Sequence, residues 1–134
     1  MRSTVWTKVK DVATREPVVL PPQASLRVAS EVMAAHSIGA VVVATERSVV
    51  GILSERDIVT ALAAGADPNQ ATAAGVMNHD VVSVRPDDTL YDAAVDMLDL
   101  AIRHVPVLDE WGAVLGMVSV RDLLRPLLTA SFEQ

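Results

Sequence analysis

The chain has 134 residues, 51% of them hydrophobic but only four aromatic, so its core must be built from Val, Leu, Ile, Ala and Met. That length is one domain's worth of protein and enough for a sizeable core. A net charge of −6, with eleven scattered Lys and Arg and no adjacent pair, argues against duplex DNA or RNA as a partner, although two or three well-placed arginines suffice for a small anion.

Taken in chain order, residues 18–20 read as a short extended piece that runs into prolines and a turn. A helix follows, capped by Ser25, with Leu26, Ala29, Val32 and Met33 on its apolar face. Residues 40–44 and 49–53 are β-rich and separated by a loop short enough for an antiparallel hairpin. A second helix begins after Ser54 and ends near Gly65, a residue suited to a left-handed cap. The linker spans residues 66–74, where Pro68 and Asn69 mark a turn. The same order then recurs: an extended piece at 81–84, a helix capped by Thr89, and strands at 105–108 and 114–118. The last helix begins after Ser119 and meets Pro126, which should kink or stop it.

This recurrence is a duplication. Gly51, Ser54, Arg56 and Asp57 fall on Gly116, Ser119, Arg121 and Asp122 at an offset of 65, and upstream the offset is 64. There Pro22, Ser25, Leu26, Ala29 and Met33 fall on Pro86, Thr89, Leu90, Ala93 and Met97. The one-residue slip lies in the turns at 45–48 and 109–113, where an insertion costs little. The expected organisation is a first motif at 8–65, a linker at 66–74 and a second motif at 75–128. Neither β-α-β-β-α copy buries its apolar surface alone. The expected fold is therefore α+β, with tandem repeats packed through their sheets about a pseudo-two-fold axis.

The octapeptide Gly51-Ile52-Leu53-Ser54-Glu55-Arg56-Asp57-Ile58 resembles the sheet-to-helix signature of CBS motifs, and Gly116-Met117-Val118-Ser119-Val120-Arg121-Asp122-Leu123 resembles its second copy. Ile102-Arg103-His104-Val105-Pro106-Val107 is similar to the family's entry into its second strand, and Val76-Met77 to its lead-in. Two such signatures in register within a repeat are far more specific than one Gly-x-x-Ser-x-x-Asp. The resemblance covers residues 8–128 and implies a CBS pair, or Bateman module, of the stand-alone bacterial type. Such pairs sense adenosyl compounds (AMP, ADP, ATP or S-adenosylmethionine) in the cleft between the two motifs. They associate as dimers and regulate an effector protein. For this chain the resemblance implies a regulatory nucleotide-binding module that acts in signal transduction as a homodimer, with no catalytic residues and no required cofactor.

Carried over position by position, the resemblance assigns Asp57 and Asp122 to the ribose hydroxyls and Ser54 and Ser119 to ribose or phosphate. An ionised carboxylate accepts only, which suits a vicinal diol, and a helix N-terminus presents amide hydrogens to an anion. Arg56, Arg121, Arg103 and His104 are candidates for compensating charge, and Val19 and Val82, with Val18, Val41 and Val105, for the adenine walls. The same Ser-x-x-Asp spacing is also that of a capping box, and Thr89-Leu90-Tyr91-Asp92 repeats it where no ligand is expected. The copies also differ, because Gly39-Ala40-Val41-Val42 stands where the second has Arg103-His104-Val105-Pro106. A ligand-free, dimerising protein-interaction module is accordingly the alternative reading.

An enzyme is disfavoured. With no cysteine there is no thiolate nucleophile, and neither a nucleophile elbow nor a phosphate loop is present. His36, His79 and His104 have no metal-ligand spacing, so no metal site is expected. No apolar run approaches the ~20 residues that span a bilayer. The opening Met1-Arg2-Ser3-Thr4-Val5-Trp6 lacks the apolar stretch of a secretory signal, which leaves a cytoplasmic location as the expectation.

Overall fold

The computed structural model describes residues 5–12, 16–46 and 48–132. In the first repeat Ser25 opens α1 (Leu26–His36), its hydroxyl oxygen accepting from the Val28 amide at 3.1 Å. Leu26, Ala29 and Met33 recur at helical spacing and are buried. The helix ends on Ser37, which is left-handed at φ 53°. β2 (Ala40–Ala44) and β3 (Val49–Ser54) form an antiparallel hairpin, and β1 (Val19–Leu20) pairs in parallel with β2, giving the order β1-β2-β3. Residues Ala40 to Val43 are all buried, which explains a continuous apolar run rather than an alternating one. α2 (Glu55–Ala63) leaves β3 without a loop and gives way to Gly65 at φ +96°, a conformation that favours glycine.

Between the repeats, the chain turns at residues 67–71 and forms the single-turn α3 (Ala73–Val76). Asn78 then pairs with Ile52, each amide donating to the other's carbonyl at 2.9 and 3.1 Å. The second repeat supplies α4 (Leu90–Leu100), the hairpin β4 (His104–Leu108) with β5 (Val114–Ser119), and α5 (Val120–Phe132). Both hairpins shift register at equivalent places, Val43/Ala44 and Val107/Leu108. The turns close with Thr45 N to Ser48 O and Asp109 N to Ala113 O, so the extra residue of the second copy sits in the turn, as its offset requires.

One expectation fails. The strand at 81–84 shrinks to one parallel bridge between Val84 and Val107. In the first repeat the Val42 amide donates to Val18 O at 3.0 Å. The equivalent residue is Pro106, which has no amide to give to Val82, so the ladder loses that rung. Of the two outcomes expected at Pro126, a kink or a stop, the stop does not occur: α5 runs on to Phe132. The proline removes the bond to the Asp122 carbonyl, and the helix continues beyond it.

The chain gathers into two compact units that cut across the repeat boundaries. Residues 18–81 form one, and residues 5–12, 16–17 and 82–132 the other. The first unit's core contains Leu26, Ala29, Met33, Val41, Val43, Leu53, Ile58, Ala73 and Met77. The second unit's core contains Val84, Leu90, Ala93, Met97, Val105, Val107, Val118 and Leu123, together with Val9 from the opening segment. Residues 5–12 thus dock on the second repeat as residues 68–76 dock on the first, bond for bond. Leu26 N donates to Ala71 O and Leu90 N to Thr7 O; Ala73 N donates to Ala24 O and Val9 N to Asp88 O; Ala74 N donates to Pro22 O and Lys10 N to Pro86 O. The opening segment adds Lys8 and Lys10 on Asp87 at 3.3 and 3.0 Å, and Trp6 on Tyr91 with ring centres 5.6 Å apart. Trp6 is 67% exposed in this pairing.

Candidate functional site

Each unit has one strand-to-helix junction built in the same way. β3 passes directly into α2, and the Gly39 carbonyl accepts from the Glu55 amide at 2.9 Å. β5 passes directly into α5, and the Arg103 carbonyl accepts from the Val120 amide at 3.0 Å. Ala40 faces Ser54 in the strand register, and His104 faces Ser119. The structure therefore brings Ser54, Arg56 and Asp57 together in one unit, and Arg103, His104, Ser119, Arg121 and Asp122 together in the other.

At the first junction Ser54 and Asp57 form a reciprocal capping box. The Ser54 oxygen accepts from the Asp57 amide at 3.2 Å, and Asp57 Oδ2 accepts from the Ser54 amide and hydroxyl at 2.9 Å each. At the second, Asp122 Oδ2 accepts from the Ser119 amide at 2.8 Å while the Ser119 oxygen accepts from the Asp122 amide at 3.2 Å. Thr89 and Asp92 make the same box at α4. Capping is thus common to all three Ser/Thr-x-x-Asp sequences and does not by itself distinguish a binding site.

The surroundings do distinguish them. At α1 and α4 the docked segments cover the first two helical amides: Leu26 and Arg27 donate to Ala71 O and Pro68 O, and Leu90 and Tyr91 to Thr7 O and Val5 O. At α2 and α5 the neighbouring strand serves only the first. The Arg56 and Arg121 amides meet no carbonyl among the described residues. Both aspartates also keep Oδ1 without a protein donor there. An open amide beside a carboxylate oxygen with acceptor capacity is what a ligand carrying both a diol and an anion requires.

Arg56, Arg103 and Arg121 are exposed, and His104 is half-buried. Val19 is 45% exposed on the edge strand, and Val82 is half-buried beside the β4 entrance. Val41 and Val105 are fully buried within their units' cores and offer no surface as they stand. Elsewhere, a groove of about 450 Å³ lies between α1 and α2, lined by residues that include Met33, Ile38, Ile58 and Val59. Among the described residues no helix is long and apolar enough to cross a membrane, and no three acidic, His or Cys side chains cluster as a metal site would require. What sequence reasoning missed was the covering of α1 and α4. Its only signal was the extension of the repeat upstream, to Val12 opposite Val76.

Comparison with known proteins gives the family. A CBS domain model matches residues 9–64 and 73–129. A 17.7 kDa protein of Acidianus ambivalens is 38% identical over 123 residues, covering 91% of this chain and 74% of that one. The CBS domain protein PAE2072 of Pyrobaculum aerophilum, solved with AMP, aligns at TM-score 0.85 and 29% identity over 96% of this chain and all of that one (100%). The CBS domain pair of protein MJ0100, solved with 5′-methylthioadenosine and S-adenosylmethionine, aligns at TM-score 0.81 and 28% identity, over 94% and 98% of the two chains. With two matched repeats and an α+β structure of the same fold, the chain belongs to the CBS domain family as a pair of CBS repeats.

Proposed function

We propose that this chain is a non-catalytic regulatory module that binds an adenosyl compound, AMP, ADP, ATP or S-adenosylmethionine, at its strand-to-helix junctions. The observation that carries the reading is the contrast among helix starts. Those of α1 and α4 are covered by backbone, whereas those of α2 and α5 keep an open amide beside Asp57 or Asp122. A ribose diol on Oδ1 and a phosphate or carboxylate at the amide would complete both groups. The AMP complex of PAE2072 and the S-adenosylmethionine complex of the MJ0100 pair support the same ligand class. Binding regulates only to the extent that the ligand prefers one of two arrangements of the module. We take the module to act as a homodimer on an effector protein; exposed Val59, Leu62, Leu98, Leu124 and Leu128 on the helices give such contacts an apolar surface.

Thermal unfolding with each nucleotide tests this. A ligand at about 100 times its Kd adds about 2.7 kcal/mol of stability, and the shift should disappear in Asp57→Ala, Asp122→Ala or the double variant. No shift with any adenosyl compound at millimolar concentration would refute the proposal. It would favour the second reading, a ligand-free dimerising interaction module, which the capping boxes independently support. On that reading each aspartate substitution costs about 0.5–2 kcal/mol of stability and changes no ligand response.

A further inference from the structure

The helix pairs of the two repeats share a floor and differ in their walls. Met33 and Ile58 are buried beneath α1 and α2, and Met97 and Leu123 hold the equivalent buried places on α4 and α5. Above that floor, the first repeat has the groove of about 450 Å³, bordered by Ala34, Val59 and Glu55. The same positions in the second repeat carry Leu98, Leu124 and Val120. Leu98 is 81% exposed and Leu124 51%, so their own chain leaves both open to a partner.

The two faces are complementary. Where α1 has the single methyl of Ala34, α4 projects a leucine. The groove makes little polar demand on an occupant, because the Ser30 hydroxyl already donates to the Leu26 carbonyl at 2.8 Å. Among the described residues that line it, Glu55 alone is charged. On α5, Arg121, Leu124, Arg125 and Leu128 are exposed at the spacing i, i+3, i+4 and i+7, so two leucines and two arginines share one helix face. A hollow with a carboxylate on one repeat thus answers leucines with arginines on the other. Like against like matches neither. Two facing grooves would leave their space unfilled, with a Glu55 on each side, and two α5 faces would bring arginines together.

We infer that the α1–α2 groove is a docking site for the second repeat of another copy of this chain, with Leu98 and Leu124 seated in the groove and the arginines of α5 turned towards Glu55. Copies therefore associate head to tail, first repeat to second, and a closed two-fold pair makes the contact twice. This rests on the homodimer proposed above and adds its orientation and the residues that set it. It is independent of the ligand.

Sedimentation equilibrium of the full chain, over a dilution series reaching millimolar, tests this. The wild type should dimerise. Ala34→Leu, which installs the second repeat's residue and fills the groove, should weaken association by at least about tenfold, the effect of losing one well-packed anchor. Leu98→Ala, which installs the first repeat's residue, should do the same. Both side chains are exposed, so an unchanged circular-dichroism melt of the dilute, monomeric chain separates loss of contact from loss of fold. Because the chain has no cysteine, Ala34→Cys and Leu98→Cys in separate copies mark the two faces independently. Mild oxidation of the mixture should give the mixed disulfide in excess over either like pair. A chain that stays monomeric, an Ala34→Leu variant that associates as well as or better than the wild type, or an excess of like pairs would overturn the inference. Only the first of these also removes the homodimer from the functional reading, and nucleotide binding, read separately by thermal unfolding, survives all three.

Discussion

Val9 lies ahead of the first repeat's sheet, yet its side chain is fully buried in the core that Val84, Leu90, Val105 and Val118 build in the second repeat. Replacing it with alanine removes two methyl groups, at about 0.8 kcal/mol each for transfer. The cavity left behind adds to that, because Val9 is anchored by Val9 N to Asp88 O at 2.7 Å and its backbone cannot collapse inward. The expected loss is about 1.5–3 kcal/mol, or roughly 5–10 °C in Tm for a chain of this size. Urea unfolding at two temperatures reads it directly. A change within ±0.5 kcal/mol, the range of ordinary surface substitutions, would show that residues 5–12 do not complete the second core. Double-mutant cycles sharpen the attribution. Val9→Ala should couple with Leu90→Ala by at least about 0.5 kcal/mol and should add simply with Leu26→Ala, which sits in the other cluster. The equivalent of Val9 is Ala73, also fully buried, so Ala73→Val should overpack the first core and cost about 1–3 kcal/mol.

Three further outcomes follow from particular contacts. A Cβ on Gly51 would collide with the Met77 sulfur and stand 2.9 Å from the Asn78 carbonyl, which is pinned by its pairing with Ile52; Gly51→Ala should therefore cost about 1–3 kcal/mol in denaturant unfolding. Ala101 caps α4 in the left-handed region at φ 54°, so Ala101→Gly should raise stability by about 0.5–1 kcal/mol, and a lower Tm would contradict the cap geometry. The hydrogen bonds from Lys10 and Lys8, with their charges, hold the Asp87 carboxyl below the usual carboxylate range, and the Asp87 bond raises Lys10. The depressed carboxyl contributes stability that is present above its unfolded pKa and lost as pH falls through the folded value. The raised ammonium contributes stability that is present below its unfolded pKa and lost as pH rises through the folded one. Asp87→Asn should therefore cost a small, salt-sensitive amount near neutrality, and its unfolding curve should merge with the wild type's in strong acid. A gap that persists there would remove the ion pairs as its cause.

Most of the architecture was legible because the duplication supplies each element twice. A cap at Ser25 is one signal; with Thr89 at the same offset it becomes two, and both caps are present. Apolar positions such as Met33 and Met97 were readable for the same reason, and both are buried. The losses occurred where one copy departs from the other. Pro106 was read as a family feature of the strand entrance, but its missing amide also removes the rung that would have made residues 81–84 a strand. The docking of residues 5–12 on the second repeat was hidden for a different reason. Periodicity reports which residues are buried, and it carries no information about which partner buries them. Val9 and Ala73 are simply apolar in sequence, and only the backbone bonds to Asp88 and Ala24 reveal the exchange.

The candidate site shows the same limit more sharply. Ser-x-x-Asp appears at Ser54 and Ser119, Thr89 supplies its threonine version, and all three become capping boxes, so spacing identifies a helix start and nothing more. The structural contrast lies in residues far away in sequence. Thr7 and Val5 close the mouth of α4, and Ala71 and Pro68 close that of α1. Among the described residues no equivalent segment reaches α2 or α5, where the neighbouring strand supplies one carbonyl and the second amide stays open. Capping and binding are therefore compatible uses of one aspartate. Oδ2 faces the backbone it caps, and Oδ1 retains the acceptor capacity that a ribose would use. The two roles separate experimentally because Asp57→Asn and Asp122→Asn keep an acceptor oxygen for the cap while removing the charge that favours two diol donors. Stability within about 1 kcal/mol of wild type, together with a clear loss of nucleotide affinity, is the expected pattern. Losses that track each other would mean that the carboxylate serves the helix alone.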